Sequence, residues 1–259
     1  MPCGRRATGA DPVDIVSRLR AAGCVFAEEE AALLSEAPAD ALDALVERRV
    51  AGEPLEHLLG WVLFDGLRVP LDPGVFIPRQ RTEFLVELAA PLLSAGSVAL
   101  DLCCGCGAVG AALLARVPGL VLHAADIDPA AVACASRSLP DVHLGSLFDA
   151  LPDDLRGTLD VIAVNAPYVP TGSIALMPRE ARDHEPLLAL DGGADGVRYH
   201  REIAEAAPRW LRPGGHLLIE TSQSQAPLTM AAFTAAGFAS RLHEDDDRYA
   251  TVVSGQLRS

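Results

Sequence analysis

A repeating order of apolar strand, tight turn and helix begins near Ser97 and continues through most of the remaining chain. Consecutive parallel strands must be joined by a crossover, usually a helix, so this order predicts a parallel sheet covered on both faces. Strands are predicted at 98–102, 120–125, 142–144, 159–164 and 216–220, helices near 107–116, 129–138, 195–208 and 226–236, and two more strands at 239–243 and 249–254. The fold class is therefore α/β.

The chain before this repeat follows a different pattern. Apolar residues recur at helical spacing between residues 11 and 51, and Gly52-Glu53-Pro54 ends that pattern. Short apolar segments on either side of Asp65-Gly66 then predict a β-hairpin. Three parts are expected: a small helical domain at 1–60, a hairpin linker at 61–78 and the α/β domain at 79–259.

Charge and composition narrow the classes of function. The chain has 21 basic and 35 acidic residues, a formal net charge of −14, which repels nucleic acid and anionic lipid. Every basic residue is arginine, and the absence of lysine excludes Schiff-base enzymes, pyridoxal-phosphate enzymes and a Walker A loop. Neither a signal peptide nor a membrane-spanning stretch is evident. We expect a cytoplasmic monomer that binds neither membrane nor nucleic acid.

Half of the six cysteines are clustered at Cys103, Cys104 and Cys106. Cys103-x-x-Cys106 matches a redox pair or half of a zinc site, but no second pair lies at metal spacing, and the nearest downstream histidine is His123. Spacing of this kind does not form the disulfide framework of a secreted domain. We expect a reducing compartment, cysteines that act as small buried fillers, and no metal site.

The segment from Gly105 to Gly110 fits the pattern GxGxxG between a strand and a helix. Such a turn accepts either the pyrophosphate of a dinucleotide or the adenosyl and amino-acid parts of S-adenosylmethionine. Asp101 is four residues ahead, where its carboxylate would repel a pyrophosphate and accept a hydrogen bond from an ammonium group. Asp126 ends the next strand, where a carboxylate can bind both ribose hydroxyls.

Asn165-Ala166-Pro167-Tyr168 follows the strand LDVIAV. A polar asparagine buried there requires a hydrogen-bonding partner, and the rigid Pro-Tyr step restricts the direction of neighbouring carbonyl groups. An ordinary strand-ending turn would use the same residue types. The tetrapeptide is therefore a candidate for binding a planar nitrogen group.

Taken in order, these motifs resemble those of the protein-(glutamine-N5) methyltransferase family, whose members are class I S-adenosylmethionine-dependent enzymes. The resemblance extends from Gly52 to Tyr249. The matching segments are Gly52-Glu53-Pro54 with Leu59-Gly60, FIPRQRTEFLVE at 76–87, DLCCGCGAVG at 101–110, DIDPAAV at 126–132, NAPY at 165–168, EARDHEPLLALDGGADG at 180–196 and PGGHLLIE at 213–220.

The resemblance implies a Rossmann-like, mostly parallel seven-stranded sheet that binds S-adenosylmethionine. The implied cofactor-binding residues are Asp101, Cys103, Gly105, Gly107, Asp126, Ile127, Leu147, Phe148 and Asn165. The implied catalytic residues are Asn165, Ala166, Pro167 and Tyr168, with Asn165 and the Ala166 carbonyl as acceptors for the amide hydrogens. The implied substrate-binding residues are Phe76, Ile77, Pro78, Arg79 and Glu185, with Glu83 bracing the same loop.

The expected reaction is methyl transfer to the side-chain amide nitrogen of a protein glutamine. For this family the substrates are class 1 peptide chain release factors, which present the glutamine in a Gly-Gly-Gln loop, and the helical domain would recognise them. Alanine replaces the family's usual proline at Ala166, which preserves the backbone oxygen and removes ring stiffness. The alternatives are an adenine or small-molecule N-methyltransferase, a nicotinamide dehydrogenase, and a noncatalytic adaptor that binds S-adenosylmethionine.

Overall fold

The computed structural model describes residues 12–258, and the chain divides into two compact units after Trp61. Residues 1–11 and 259, which the expected domains include, lie outside the described residues. The helices of the first unit are α1 (Pro12–Ala21), α2 (Ala27–Leu34), α3 (Ala39–Val50) and α4 (Leu55–Leu59). Its core is formed by Ile15, Leu19, Leu34 and Val46, which are fully buried. The first unit is thus helical, as its apolar spacing predicts.

A β-hairpin follows, formed by β1 (Trp61–Phe64) and β2 (Leu67–Pro70). Asp65 and Gly66 both have positive φ, 50° and 75°, as a two-residue type I′ turn requires. Glu83 Oε1 accepts a hydrogen bond from the Asp65 backbone nitrogen at 2.9 Å. Because Val62, Phe64 and Val69 are buried in a core shared with the sheet described next, the hairpin packs as part of the second unit.

The second unit contains a seven-stranded sheet. Its strands are β3 (Val98–Leu102), β4 (Val121–Asp126), β5 (Val142–Leu144), β6 (Leu159–Val164), β7 (Leu211–Thr221), β8 (Phe238–Asp245) and β9 (Ala250–Leu257). They lie in the order β5-β4-β3-β6-β7-β9-β8, and β9 is antiparallel to both neighbours while the other pairs are parallel. The α/β fold with a mostly parallel seven-stranded sheet is confirmed.

Helices cover both faces of this sheet. They are α5 (Glu83–Ala89), α6 (Ala108–Arg116), α7 (Pro129–Ala135), α9 (Arg198–Ala206) and α10 (Ala226–Ala235), and a further helix, α8 (Arg179–His184), lies in the connection between β6 and β7. Ala99 belongs to the core on the face of α5, α6 and α7, while Leu100 belongs to the core on the face of α9 and α10. Strand side chains alternate between faces, so a strand buried on both sides must be apolar throughout. That requirement explains sequences such as LDVIAV.

The observed strand boundaries lie within two residues of the predicted ones, except at the end of β9, which extends to Leu257, and at the start of β7. The prediction starts this strand at His216, after Pro213-Gly214-Gly215. In the structure β7 begins at Leu211, and its pairing with β6 is irregular between Leu159 and Val161, which accommodates the interruption. Among the described residues, no helix is long and apolar enough to span a membrane.

The strand order places a crevice at the carboxyl end of β3. This strand pairs with β4 on one side and with β6 on the other, so the connection from β3 to β4 and the connection from β6 to β7 run in opposite directions. Ligands of open α/β sheets bind where the strand order reverses in this way. The loops after β3, β4, β6 and β7 therefore form the candidate site.

Candidate active site

The turn after β3 contains three residues with left-handed backbone, namely Cys103 (φ 61°), Gly105 (φ 56°) and Gly107 (φ 82°). A Cβ added to Gly105 would meet no atom within 4 Å, whereas one added to Gly107 would lie 2.7 Å from Leu139 Cδ1. Gly107 is thus required by packing and backbone conformation. Gly105 borders open space that a ligand can occupy at the start of α6.

Asp126 is positioned beside this turn by hydrogen bonds from the backbone. Its Oδ2 accepts from the Gly105 nitrogen and its Oδ1 from the Asp128 nitrogen, both at 2.9 Å. Burial raises the pKa of the Asp126 carboxyl, and these backbone hydrogen bonds oppose the rise. Each carboxylate oxygen retains a lone pair, so the group can accept from the two hydroxyls of a ribose.

Asp101 lies beneath the glycine turn, with 2% of its surface exposed. Its Oδ2 accepts from the Gly110 nitrogen at 2.8 Å, in the first turn of α6. Burial raises the pKa of Asp101 to about 7, the Gly110 hydrogen bond opposes that rise, and the charge of Asp126 adds to it. A cation brought near the two carboxyls would lower both pKa values, while a pyrophosphate would raise them further. The site therefore favours a cationic ligand such as S-adenosylmethionine.

The predicted adenine-contacting residues separate into two groups. The hydrogen bond from the Gly145 nitrogen to the Asp126 carbonyl, at 3.0 Å, holds the segment after β5 against the end of β4. On that segment Leu147 is half-buried, whereas Phe148 is buried in the core and stacks on Trp210 with ring centroids 5.6 Å apart. Ile127 is exposed beside Asp126. Leu147 and Ile127 are accordingly the side chains available to contact an adenine ring.

The surroundings of the cysteine cluster favour the protonated thiols. Burial raises the pKa of the Cys103 and Cys104 thiols well above the ordinary value, and it raises the pKa of Cys106 to about 12. The charges of Asp101 and Asp126 act in the same direction on Cys103 and Cys104. Thiols that remain protonated at neutral pH are weak nucleophiles. This agrees with a role as small packing residues.

Asn165 lies at the end of β6, where its Nδ2 donates to Thr82 Oγ1 at 3.2 Å. Because the amide nitrogen is turned toward Thr82, Oδ1 is the carboxamide atom left to accept from a ligand. Ala166 follows with 1% of its surface exposed and packs in the core of the α9 and α10 face. Farther along, the Tyr168 carbonyl accepts from Gln225 Nε2 at 2.7 Å, which holds the tetrapeptide in place.

The Tyr168 hydroxyl joins two charged side chains. It accepts from Arg81 Nη2 at 2.8 Å and donates to Glu220 Oε1 at 3.2 Å, while Arg81 Nε contacts the same oxygen at 3.3 Å. Burial raises the pKa of Glu220, and interactions with Thr82, Arg81 and Tyr168 oppose the rise. Burial also raises the pKa of Tyr168 to about 12. Thr82 thus contacts Asn165 and also stabilises the Glu220 carboxylate, which connects the polar groups around the tetrapeptide.

The predicted substrate-binding loop forms a second ion pair. Arg79 Nη2 lies 2.6 and 2.8 Å from the two oxygens of Glu185, whose side chain is almost completely buried. The Arg79 guanidinium also lies 5.0 Å from the centre of the Phe76 ring. Pro78 is half-buried, but Ile77 is buried in the hydrophobic core and packs instead of facing solvent. Glu83 contacts the hairpin turn rather than this pair.

Four residues of the site were not expected from the sequence: Arg81, Thr82, Glu220 and Gln225. Arg81 and Thr82 lie within the matching segment FIPRQRTE, although no role is predicted for them there. Glu220 is the only charged residue of the apolar segment HLLIE, as Asp101 is of VALDL. Because burying a charge is costly, a single carboxylate in an apolar strand could have indicated that Glu220 belongs to the site. Nothing in the local sequence marks Gln225.

Comparison with known proteins decides the family. A family model described as the methyltransferase small domain matches residues 67–177. A release factor glutamine methyltransferase from Geobacter sulfurreducens is 36% identical over 220 residues, covering 82% of this chain and 76% of that protein. The chain belongs to the release factor glutamine methyltransferase family. A family member from Streptomyces coelicolor is 37% identical over 198 residues, covering 73% of this chain and 70% of that protein.

The fold of this methyltransferase is also found in a solved structure of distant sequence. A methyltransferase from Pyrococcus furiosus superposes with a TM-score of 0.57 at 16% identity, covering 75% of this chain and 90% of that one. The methyl donor of this family is S-adenosylmethionine, and the two aspartates and the open space at Gly105 fit that cation. The expected cofactor is thereby confirmed, in preference to a nicotinamide dinucleotide.

Proposed function

We propose that this methyltransferase transfers the methyl group of S-adenosylmethionine to the side-chain amide nitrogen of a glutamine in a class 1 peptide chain release factor. The names of the relatives assign that substrate to them. One observation carries the proposal here: the Asn165 amide nitrogen is bound by Thr82, which leaves Oδ1 as an acceptor at the carboxyl end of β6. Such an acceptor matches the N–H groups of a primary amide.

The chemical difficulty lies in the nucleophile. An amide nitrogen is weakly nucleophilic because its lone pair is delocalised into the carbonyl group. Acceptors at Asn165 Oδ1 and the Ala166 carbonyl would orient the NH2 group and stabilise the positive charge that develops on nitrogen, while Tyr168 packs against the side chain. Orientation of two reactants in line can supply about 7–11 kcal/mol of the barrier. The proton can leave to water after alkylation, so no general base is required.

The cofactor-binding residues would place the methyl donor in line with the amide nitrogen. When bound, S-adenosylmethionine supplies an electrophilic methyl group on a sulfonium. Asp126 would bind the ribose hydroxyls, Gly105 would let the ligand approach the backbone, and Leu147 and Ile127 would contact the adenine. Asp101 acts beneath the turn, where its charge favours the cationic amino-acid portion.

The test is the variant Asn165→Ala. Loss of the acceptor should lower kcat about 100- to 1,000-fold, by analogy with loss of one oxyanion-hole donor. The variant should still bind S-adenosylmethionine, and its affinity, measured by calorimetry, should fall by a much smaller factor than kcat. Gln256→Ala serves as a matched control, because this exposed carboxamide on β9 donates only to the Gly214 carbonyl. Unchanged turnover in Asn165→Ala would contradict the assigned acceptor.

Substrate identity needs a separate measurement. Purified release factor should gain one methyl group at the Gly-Gly-Gln glutamine, as located by mass spectrometry, and a duplex oligonucleotide should gain none. Methylation of adenine in the duplex would favour the nucleobase alternative. Binding of cofactor without transfer to any protein of a lysate would favour the noncatalytic adaptor.

The helical unit that ends at Trp61 is proposed to recognise the release factor, and the enzyme to act as a cytoplasmic monomer. Cys103, Cys104, Cys106 and Cys134 are free thiols, which suits a reducing compartment. Addition of release factor should protect backbone amides of residues 12–61 from hydrogen exchange. Protection confined to the second unit would assign recognition to the catalytic unit alone.

A further inference from the structure

Two strands at the edge of the sheet bring together two histidines and an aspartate that the proposed reaction does not use. In the parallel pair β4 and β5, Ala125 lies opposite His143. The ladder extends one residue before β5, because the Ala124 nitrogen donates to the Asp141 carbonyl at 2.9 Å. Since side chains alternate along a strand, Asp141 and His143 share one face, and His123 on β4 lies beside Asp141 on that face.

The donor atoms of this cluster converge. His123 Nδ1 lies 2.9 Å from Asp141 Oδ2, and His143 Nε2 lies 3.4 Å from Asp141 Oδ1. The two ring nitrogens are 3.4 Å apart, with the imidazole rings stacked. Ligands at zinc–nitrogen distances of 2.0–2.1 Å in a tetrahedron are separated by about 3.3 Å. The two ring nitrogens are therefore at the spacing of two ligands of one ion, and each lies within 3.4 Å of an oxygen of Asp141.

We propose that His123, Asp141 and His143 form a binding site for a divalent transition-metal ion, with Zn²⁺ as the ion that best suits the ligands. Imidazole nitrogen with a single carboxylate favours zinc and its neighbours over calcium or magnesium, which prefer oxygen ligands. The histidine side chains are 13% and 18% exposed and that of Asp141 is 49% exposed. The fourth position of a tetrahedral ion is therefore accessible to water.

The ion would have a structural role. His123 precedes Asp126 by three residues on β4, which places it about 10 Å from the cofactor-binding end of the strand. The edge strand β5 has only three residues, and the segment with Leu147 follows it directly. A metal joining β5 to β4 would stabilise this edge without taking part in methyl transfer. The cysteine spacing gives no indication of such a site, because strand pairing creates it.

The experiment uses the full chain without an affinity tag, after treatment with a chelator. Titration with Zn²⁺ against a competing chromophoric chelator should give one bound ion per chain, and binding should raise the melting temperature. His143→Gln and Asp141→Asn should each weaken binding at least about 100-fold, since loss of an outer-shell partner alone costs about 10–100-fold. His243→Gln is the matched control, because this histidine on β8 hydrogen-bonds Ser254 instead; its affinity should equal that of the wild type.

Replacement of zinc by Co²⁺ in the wild type gives a second readout that needs no folded variant. Visible bands of tetrahedral cobalt without a thiolate charge-transfer band would support ligation by imidazole and carboxylate. A thiolate band would move the ion to the cluster of Cys103, Cys104 and Cys106 and overturn the proposal. Undiminished zinc affinity in His143→Gln, or no binding by the wild type, would overturn it as well.

Discussion

Replacing Arg81 by methionine should destabilise this methyltransferase by an amount that grows with pH. Glu220 has a side chain that is 2% exposed, and Arg81 is the cation that contacts it. Methionine keeps much of the length of the arginine stem and removes the charge. Glu220 then remains buried with Tyr168 and Thr82 as its partners.

The magnitude follows from the protonation of Glu220. Breaking a buried ion pair costs about 3–5 kcal/mol, but the carboxyl can avoid part of that cost by binding a proton. Protonation limits the penalty to about 1.4 kcal/mol for each pH unit above the unfolded pKa of about 4.3, or about 4 kcal/mol at pH 7.5 and below 2 kcal/mol at pH 5.5. Arg81 is 42% exposed, so screening by water should roughly halve these values to about 2 and 1 kcal/mol.

The sign follows from the direction of the pKa shift. Burial raises the folded-state pKa of Glu220, and removal of Arg81 raises it further. A carboxyl whose pKa is raised in the folded state contributes most to folding stability at pH values below its pKa in the unfolded state. That contribution is lost as the pH rises through its pKa in the folded state. The penalty in Arg81→Met should therefore be small in acid and larger in alkaline solution.

The assay is urea unfolding at pH 5.5, 6.5 and 7.5. The free energies of unfolding of the variant and the wild type are compared at each pH, provided that both depend equally steeply on urea concentration. Combining Arg81→Met with Glu220→Gln removes the buried charge and should abolish the pH dependence of the penalty. Arg201→Met is the control, because its partner Asp195 is largely exposed and the pair should contribute less than about 1 kcal/mol. A penalty in Arg81→Met that is independent of pH would refute the reasoning.

Two further predictions concern the cofactor site. Gly105→Ala should reduce affinity for S-adenosylmethionine more than it reduces stability, because the added Cβ enters open space that the ligand would occupy. Gly107→Ala should instead lower the free energy of unfolding by about 1–3 kcal/mol, because its Cβ would contact Leu139. Calorimetry and urea unfolding of both variants measure this contrast, and equal effects of the two variants would contradict it. Binding of S-adenosylmethionine at pH 7 should release about half a proton from Asp101, whose pKa of about 7 falls near a cation. Titrations in buffers of different ionisation enthalpy should detect that proton, and Asp101→Asn should abolish it; equal release by this variant would assign the proton to another group.

Local sequence was sufficient to predict most of the elements. The spacing of apolar residues predicted β3 and β6 at their observed boundaries, and the glycine pattern predicted the turn before α6. These features depend on a few adjacent residues. Burial was harder to predict: Ile77 and Phe148 were expected at the ligand, yet both pack in the core, because apolar character alone does not reveal which surface a side chain contacts.

The sequence by itself determined the succession of strands and helices along the chain, the left-handed glycine turn, and the carboxylate and carboxamide at strand ends, since each follows from the preferences of neighbouring residues. Only the tertiary structure decided that Arg81, Tyr168 and Glu220 share one set of hydrogen bonds, and that His123 lies beside Asp141 and His143. The strand order and the pairing register bring these distant segments together. Both are set by packing of the whole sheet, which no local pattern encodes.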